Sequence, residues 1–134
     1  MALEGDEPLR IIGKLKIDKY WCIADDITTD EVIITDERIQ HIKERHPGDF
    51  ERIAPYLSQA IADPDYILED KHGMKSGLVL KLIQSGNLRF QMVVRVHTST
   101  DDPAFKNSVL SAWTISKSRW DSYVNNRKIL YKRE

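Results

Sequence analysis

What the 134-residue chain lacks excludes several classes of function. Its one cysteine, Cys22, rules out an internal disulfide framework and is typical of a reducing compartment. The sequence has no G-x-S-x-G elbow, no phosphate-cradling glycine loop and no dinucleotide-binding fingerprint. Neither a cysteine pair nor an acidic ligand cluster accompanies the histidines, so we expect no metal and no other cofactor.

Long apolar runs and a strong charge imbalance are also missing. No run approaches the ~20 residues of a membrane span, and no signal peptide opens the chain. With 20 basic and 21 acidic residues the net charge is −1, so no global attraction for a polyanion exists. Acid is concentrated in the first 70 residues, whereas the tail from Lys117 onward is basic. We expect a soluble cytoplasmic protein with no membrane partner, and its oligomeric state is left open.

The length predicts one domain over residues 1–134, with residues 1–8 as a flexible tail. Residues 9–17 predict a strand with a bulge at Gly13, and residues 20–24 its hairpin partner. Further along, the apolar period changes from helical to two-fold, which indicates an α+β fold: an N-terminal hairpin and helices that cover an antiparallel meander. The predicted later elements are strands at 66–69, 77–84, 88–98, 109–116 and 129–131, and a helical turn or two at 119–126.

A helix is predicted between Thr35 and Pro47, in the run T-D-E-R-I-Q-H-I-K-E-R-H-P. Thr35 is a good N-cap, and Pro47 ends the helix because it pushes the preceding residue out of the helical region. A second helix follows from Asp49, and Pro55 predicts a break or kink inside it.

Two histidines of this helix are candidate site residues. His41 shares one stripe with Glu37 and Arg45 at spacings of four residues. His46 lies at the helix C-terminus, towards whatever the helix packs on, where the carbonyl-rich end favours a protonated ring. This arrangement suits an acid or an anion-binding group.

The strand at 88–98 places Arg95 and His97 on its mixed face, and Lys81 sits among apolar neighbours in the preceding strand. Such cations indicate either a solvated sheet face or a cationic pocket for an anionic substrate. Histidine, arginine, lysine, hydroxyl groups and tyrosine without a metal suit cleavage of RNA by its own 2′-hydroxyl, which leaves a 2′,3′-cyclic phosphate. The same residues on a surface also describe an ordinary basic patch.

Four motifs in order resemble a phage-associated nuclease family of the barnase–EndoU–colicin E/D–RelE-like superfamily. They are V-I-I-T-D-E-R-I-Q-H-I-K-E-R-H-P-G-D-F, D-P-D-Y-I-L-E-D, K-N-S-V-L-S-A-W-T-I-S and the terminal K-I-L-Y-K. The resemblance extends over about residues 11–132. The resemblance implies N-terminal helices packed on a four-stranded antiparallel sheet. It also implies a metal-independent endoribonuclease, of a kind that can act as a toxin on tRNA or mRNA.

The resemblance assigns residues by motif. The helix motif gives His41, Arg45 and His46, and the strand cations are Lys81 and Arg95. The other residues it implies come from the last two motifs: Asn107, Ser108, Thr114, Tyr131 and Lys132.

The expected mechanism has a histidine, His46 or His41, moving the proton while Arg95 and Lys81 hold the phosphate. Thr114 or Ser108 would orient it, and Tyr131 would stack a base or act as an acid. Catalytic roles thus fall to His46, His41, Arg45, Arg95, Thr114 and Tyr131, and substrate binding to Lys81, His97, Asn107, Ser108 and Lys132.

Other readings stay open beside the nuclease. The chain could be an inactive RNA- or protein-binding module of the same fold, or a structural phage protein. An immunity or antitoxin protein is a conceivable partner if the chain is a toxin. A nuclease requires His46, Arg95 and one hydroxyl to converge in one cleft, whereas a structural protein would bury its histidines against the backbone.

Overall fold

The computed structural model describes residues 9–71 and 73–133, so the predicted tail at 1–8 lies outside the described residues. Within this part of the chain, strands and helices agree closely with the sequence pattern from residue 35 onward. The strands are β1 (Leu9–Lys14), β2 (Glu31–Thr35), β3 (Tyr66–Glu69), β4 (Ser76–Ile83), β5 (Leu88–Arg95), β6 (Asn107–Thr114) and β7 (Ile129–Lys132). The helices are α1 (Ile17–Tyr20), α2 (Asp36–Arg45), α3 (Asp49–Ile53), α4 (Leu57–Ala62) and α5 (Lys117–Asn126).

The described strands form one seven-stranded sheet in the order β1-β2-β6-β5-β4-β3-β7. Neighbours pair antiparallel except β2 and β6, which run parallel over two residue pairs. The α+β class is therefore confirmed, but the sheet is mixed and larger than the four-stranded antiparallel sheet that was expected. The difference arises because β1 and β2 join one edge through the parallel pairing, and β7 returns to the other edge beside β3.

The N-terminal strand has a different partner from the one predicted. Its bulge at Gly13 is confirmed by a register shift, and a Cβ there would come within 2.8 Å of the Ser58 hydroxyl. However, β1 pairs with β2, not with residues 20–24. Tyr20 is instead fully buried at the end of α1 and donates a hydrogen bond to the Ile61 carbonyl at 2.9 Å. Its burial in the core prevents this segment from pairing as a strand.

Helix α2 begins and ends where its sequence predicts. The Thr35 hydroxyl accepts a hydrogen bond from the Arg38 amide, and the helix stops at Arg45, two residues before Pro47. The break at Pro55 is also confirmed, since a 3-10 turn separates α3 from α4. Among the described helices, none has the length and apolar character needed to cross a bilayer.

The sheet has two faces that are covered differently. On one face, apolar residues of α2, α3 and α4 pack with those of β2, β5 and β6 into the main core. On the other face, α5 packs through Trp120 and Tyr123 on a smaller cluster around Leu78 and Leu80. This second face of β5 and β6 continues beyond α5, and we call that continuation the open face. Cross-strand pairing of Arg95 with Ser108 defines it, since Gln91 and Val93 of the same face lie under α5.

Candidate active site

A cavity of about 550 Å³ lies at the end of the open face where β5 stops and β6 begins. Its walls come from β2, the first turn of α2 and the loop between β5 and β6. Three cations, Arg38, Arg95 and Lys106, line it together with the hydroxyl residue Ser108. The rest of the lining consists of Ile33, Thr35, Glu37, Thr100, Asp101, Asp102, Ala104, Phe105, Val109 and Leu110.

Within this cavity, Arg95 is held by a carboxylate of the same loop. Its two terminal nitrogens lie 2.8 and 3.4 Å from the two carboxylate oxygens of Asp101. Hydrogen bonds from Arg95 and from the Thr98 amide, supported by Lys75, lower the pKa of Asp101 well below its usual range. A forked guanidinium contact of this kind is also how arginine holds a phosphate. In this structure Arg95 is therefore already engaged by an anionic side chain.

The depressed pKa of Asp101 predicts a change in acid stability. Its pair with Arg95 stabilises the fold above the unfolded carboxyl pKa of about 3.9, and that contribution is lost as the pH falls through the lower folded value. We therefore expect Asp101→Asn to flatten the dependence of unfolding free energy on pH below about 4. Urea titrations from pH 2 to 6, with exposed Asp18→Asn as the control, measure this. A curve for Asp101→Asn as steep as the wild-type curve would contradict it.

The cavity extends onto the exposed side of α2. Arg38 donates a hydrogen bond to the Leu110 carbonyl of β6 at 3.4 Å, and it forms no carboxylate pair among the residues the structure describes. Together with Glu37, Arg38 also borders a second hollow that reaches His41. The two hollows share Glu37 and Arg38, and together we call them the α2–β6 groove, defined by His41, Glu37, Arg38, Arg95, Lys106 and Ser108.

His46 lies outside this groove. Its half-buried ring stacks on Trp113, with ring centroids 4.6 Å apart and planes 16° from parallel. Trp113 follows Ser108 by five residues along β6, a separation of about 16 Å at ~3.3 Å per residue. The expected convergence of three groups is therefore not met: Arg95 and Ser108 line one cavity, and His46 lies outside it.

Thr114 and Arg45 accompany His46 at this far end of β6. The amide and hydroxyl of Thr114 both donate to one carboxylate oxygen of Asp49, at 2.9 and 3.0 Å. This bond fastens α3 to the end of the strand. Arg45 is exposed at the last turn of α2 and does not line the cavity.

His97 and Asn107 are buried under the groove. The Nε2 atom of His97 lies 2.7 Å from the Asp102 carbonyl and its Nδ1 lies 2.5 Å from the Thr28 hydroxyl. Since a carbonyl can only accept, Nε2 carries a proton and donates it to Asp102, and in the neutral ring Nδ1 accepts from Thr28. The Asn107 amide donates to two backbone carbonyls near β2 and its oxygen accepts from the His97 amide. Both side chains therefore position the loop that walls the cavity.

Lys81 is only 3% exposed and lies on the face of the sheet that carries the main core. Its ammonium group donates to the Asp63 carbonyl at 2.7 Å and lies 3.7 to 3.8 Å from the carboxylates of Asp63 and Asp65. Burial acts to raise the pKa of Asp63, but the charges of Lys81, Lys19 and Arg133 outweigh it, and the pKa is lowered. Lys81 is thus paired inside the protein, away from the groove.

This burial predicts a stability effect without an effect on substrate binding. Lys81→Ala removes one cation near Asp63 and Asp65, which both keep Arg133, and should lower the free energy of unfolding by about 1.5–3 kcal/mol, the range for a lost hydrogen bond to a charged group. Lys81→Met keeps the volume and should lose less. Urea denaturation measures both changes, and fluorescence anisotropy measures RNA binding by the folded Lys81→Met protein. Weaker binding by that variant would return Lys81 to the substrate site.

Tyr131 and Lys132 lie on β7, at the opposite edge of the sheet. Four strand spacings of ~4.8 Å separate β7 from β6, or about 19 Å. The Tyr131 ring packs partly buried against the main core, 6.0 Å from the Lys19 ammonium, and Lys132 is exposed. Neither residue lines the groove.

Three residues that define the groove, Glu37, Arg38 and Lys106, were not among those chosen from the sequence, and neither was Phe105 of the same cavity. Glu37 had a signal, because it shares the stripe of His41 on α2. Lys106 and Phe105 come from the loop after β5 and meet α2 only in the folded chain, so periodicity carries no trace of them. Within residues 9–71 and 73–133, no three His, Cys, Asp or Glu side chains form a group that could hold a metal ion.

Comparisons with known proteins give one match. A sequence model of the family described as phage-Barnase-EndoU-ColicinE5/D-RelE like nuclease2 matches residues 8–132, nearly the whole chain. No curated protein and no solved structure gives a significant match.

Proposed function

Since the chain belongs to this phage-associated nuclease family, we propose that it is a metal-independent endoribonuclease whose active site is the α2–β6 groove. One observation carries the proposal: Arg38 and Arg95 line the same cavity as the Ser108 hydroxyl, beside the groove wall that bears His41 and Glu37. Two guanidinium groups suit the charge of a phosphorane, and a histidine with a carboxylate suits proton transfer on either side of it.

The reaction needs no group from outside the RNA and the protein. A base removes the proton of the 2′-hydroxyl, the 2′-oxygen bonds to phosphorus, and the bond to the 5′-oxygen breaks. That oxygen takes a proton, which leaves a 2′,3′-cyclic phosphate and a free 5′-hydroxyl. His41 and Glu37 supply the proton carriers, and Arg38 and Arg95 hold the two non-bridging oxygens. Ser108 orients the phosphate between them.

Arg95 can do this only if Asp101 gives up part of its contact. The phosphate has to displace a carboxylate that is already bound, so binding depends on the additional cations Arg38 and Lys106. The net charge of −1 gives no long-range attraction, and these local contacts therefore set the affinity. Such a protein would be toxic to a cytoplasm that contains tRNA or mRNA, so an inhibitor protein is the expected partner.

The direct test is cleavage of total tRNA and of a generic mRNA in EDTA. We expect fragments with 2′,3′-cyclic phosphate ends, detected by their resistance to ligation and by mass spectrometry. Activity that disappears in EDTA and returns with a divalent metal would overturn metal independence. Absence of cleavage on both RNAs would favour an inactive binding module of the same fold.

A further inference from the structure

We propose that Phe105 is a stacking platform for an unpaired base, so that the α2–β6 groove takes single-stranded RNA and not duplex. The inference rests on the proposed function and names the form of its substrate. Its starting point is an exposed aromatic ring beside a cavity lined by three cations and three carboxylates. Phe105 is 64% exposed, yet it lines the same cavity as Arg95 and Lys106.

The ring is presented by an ordered turn. The Phe105 amide donates to the Asp102 carbonyl at 3.0 Å, and the Ala104 amide donates to an Asp102 carboxylate oxygen at 2.9 Å. The same Asp102 carbonyl receives the Nε2 hydrogen of buried His97. Because the backbone that carries the ring is held in this way, a base that stacks on it orders little additional chain, and this lowers the entropic cost of binding.

A second cavity lies on the other side of Phe105. It measures about 330 Å³ and shares Asp101, Phe105 and Lys106 with the first. Thr28 and Ser99 line it; their hydroxyl groups are already bonded to His97 and Asp26, so their oxygens retain lone pairs that can accept hydrogen bonds from a base or a ribose. Two adjoining cavities with an aromatic ring and a lysine between them fit two successive nucleotides of one strand.

The chemistry of this arrangement selects an unpaired strand. Inside a duplex, each base is stacked on both faces and paired at its edge, so its face cannot reach a protein ring. In a single strand the bases are free to stack on an aromatic side chain, while a lysine neutralises the backbone between them. Lys106 is positioned for this role, because it borders both cavities and its ion pair with Glu31 is partly exposed.

The test compares cleavage of one oligonucleotide as a single strand and as a blunt duplex. The proteins are the wild type, Phe105→Ala, Phe105→Leu and Phe105→Trp. Met74→Ala is the matched control, because Met74 is also an exposed apolar residue, at 85%, and lines neither cavity. We expect a KM for the single strand about 10-fold higher in the alanine and leucine variants, since stacking is worth about that factor or more per base. Phe105→Trp should keep the wild-type KM, and the wild type should cleave the duplex at least 10-fold more slowly than the single strand.

Two results overturn the stacking platform: an unchanged KM in Phe105→Ala, or equal cleavage of both substrates by the wild type. A lower melting temperature shared by all Phe105 variants, with a KM rise in each, would assign the residue a structural role instead. If the wild type cleaves neither substrate, the proposed function fails. Binding of the fluorescently labelled single strand then tests whether Phe105 stacks on a base. Reduced affinity in Phe105→Ala then supports it, and equal affinity or no binding by the wild type overturns it.

Discussion

Replacing Arg95 with lysine should lower kcat/KM for cleavage of a single-stranded RNA by about 10²–10³-fold, although the positive charge is kept. The guanidinium fork offers two parallel donors to the phosphate oxygens, whereas an ammonium group offers a point charge. Loss of one donor aimed at transition-state charge costs a factor of this size in other enzymes. Steady-state kinetics at neutral pH on a fluorescent oligonucleotide measures the change.

The partner of Arg95 has to be controlled in the same experiment. Asp101 keeps Lys75 within 3.5 Å, so it retains a cation when Arg95 is replaced, and the melting temperature of each variant shows whether the loop is intact. Arg10→Lys serves as the matched control, because Arg10 also pairs with a carboxylate, Asp36, but is exposed on β1 outside the groove. Wild-type kinetics in Arg95→Lys would mean that the groove does not hold the scissile phosphate.

The two histidines of the helix motif should separate by their effects. His41→Ala should lower kcat by about 10²–10⁴-fold, the range for loss of a general acid or base, without a change in stability. His46→Ala should lower the free energy of unfolding by about 0.5–1.5 kcal/mol, because the ring stacks on Trp113. Its effect on kcat should stay within a few-fold. Single-turnover cleavage and urea denaturation of the same preparations distinguish the two.

If the effects of the two histidine variants were reversed, proton transfer would be assigned to the C-terminal end of β6, beside His46. If His46→Ala removes cleavage and remains as stable as the wild type, the stacked pair with Trp113 is the reacting site, and Thr114 and Arg45 become its neighbours of interest. His41→Gln is the useful second variant, since an amide can hydrogen-bond at that position but cannot carry a proton. Equal cleavage by all variants would point to a contaminating nuclease.

The elements that sequence predicted well are those with local chemistry. Helix α2 has a capping hydroxyl at Thr35 and a stop at Pro47, and the structure begins and ends it accordingly. The hairpin of β4 and β5 has a turn with Asn87 in the left-handed conformation, where asparagine is tolerated. These signals act within a few residues, so no knowledge of the rest of the fold is needed to read them.

Strand order and the groove could not be obtained in the same way. The pairing of β2 with β6 joins Ile33 to Ser108, residues 75 positions apart, and no local period records such a choice. The same pairing brings α2 beside the loop that carries Lys106. Lys81 was wrongly interpreted for the same reason. A lysine among apolar neighbours suggested a cation in a pocket, but the carboxylates of Asp63 and Asp65, from the turn before β3, pair with it inside the protein.

Helix α2 also has a consequence for how the protein behaves in solution. Beyond Ser108, β2 no longer pairs with β6, and α2 follows that edge of the strand, with Arg38 bonded to Leu110 and His46 on Trp113. A bare strand edge is a template on which another chain can add, and a helix laid along it blocks that addition. We therefore expect helix α2 to hinder the pairing of this strand edge with another chain. A variant that loosens α2, such as Thr35→Ala, should lose cleavage and form oligomers together, so sedimentation has to accompany every kinetic measurement on this helix.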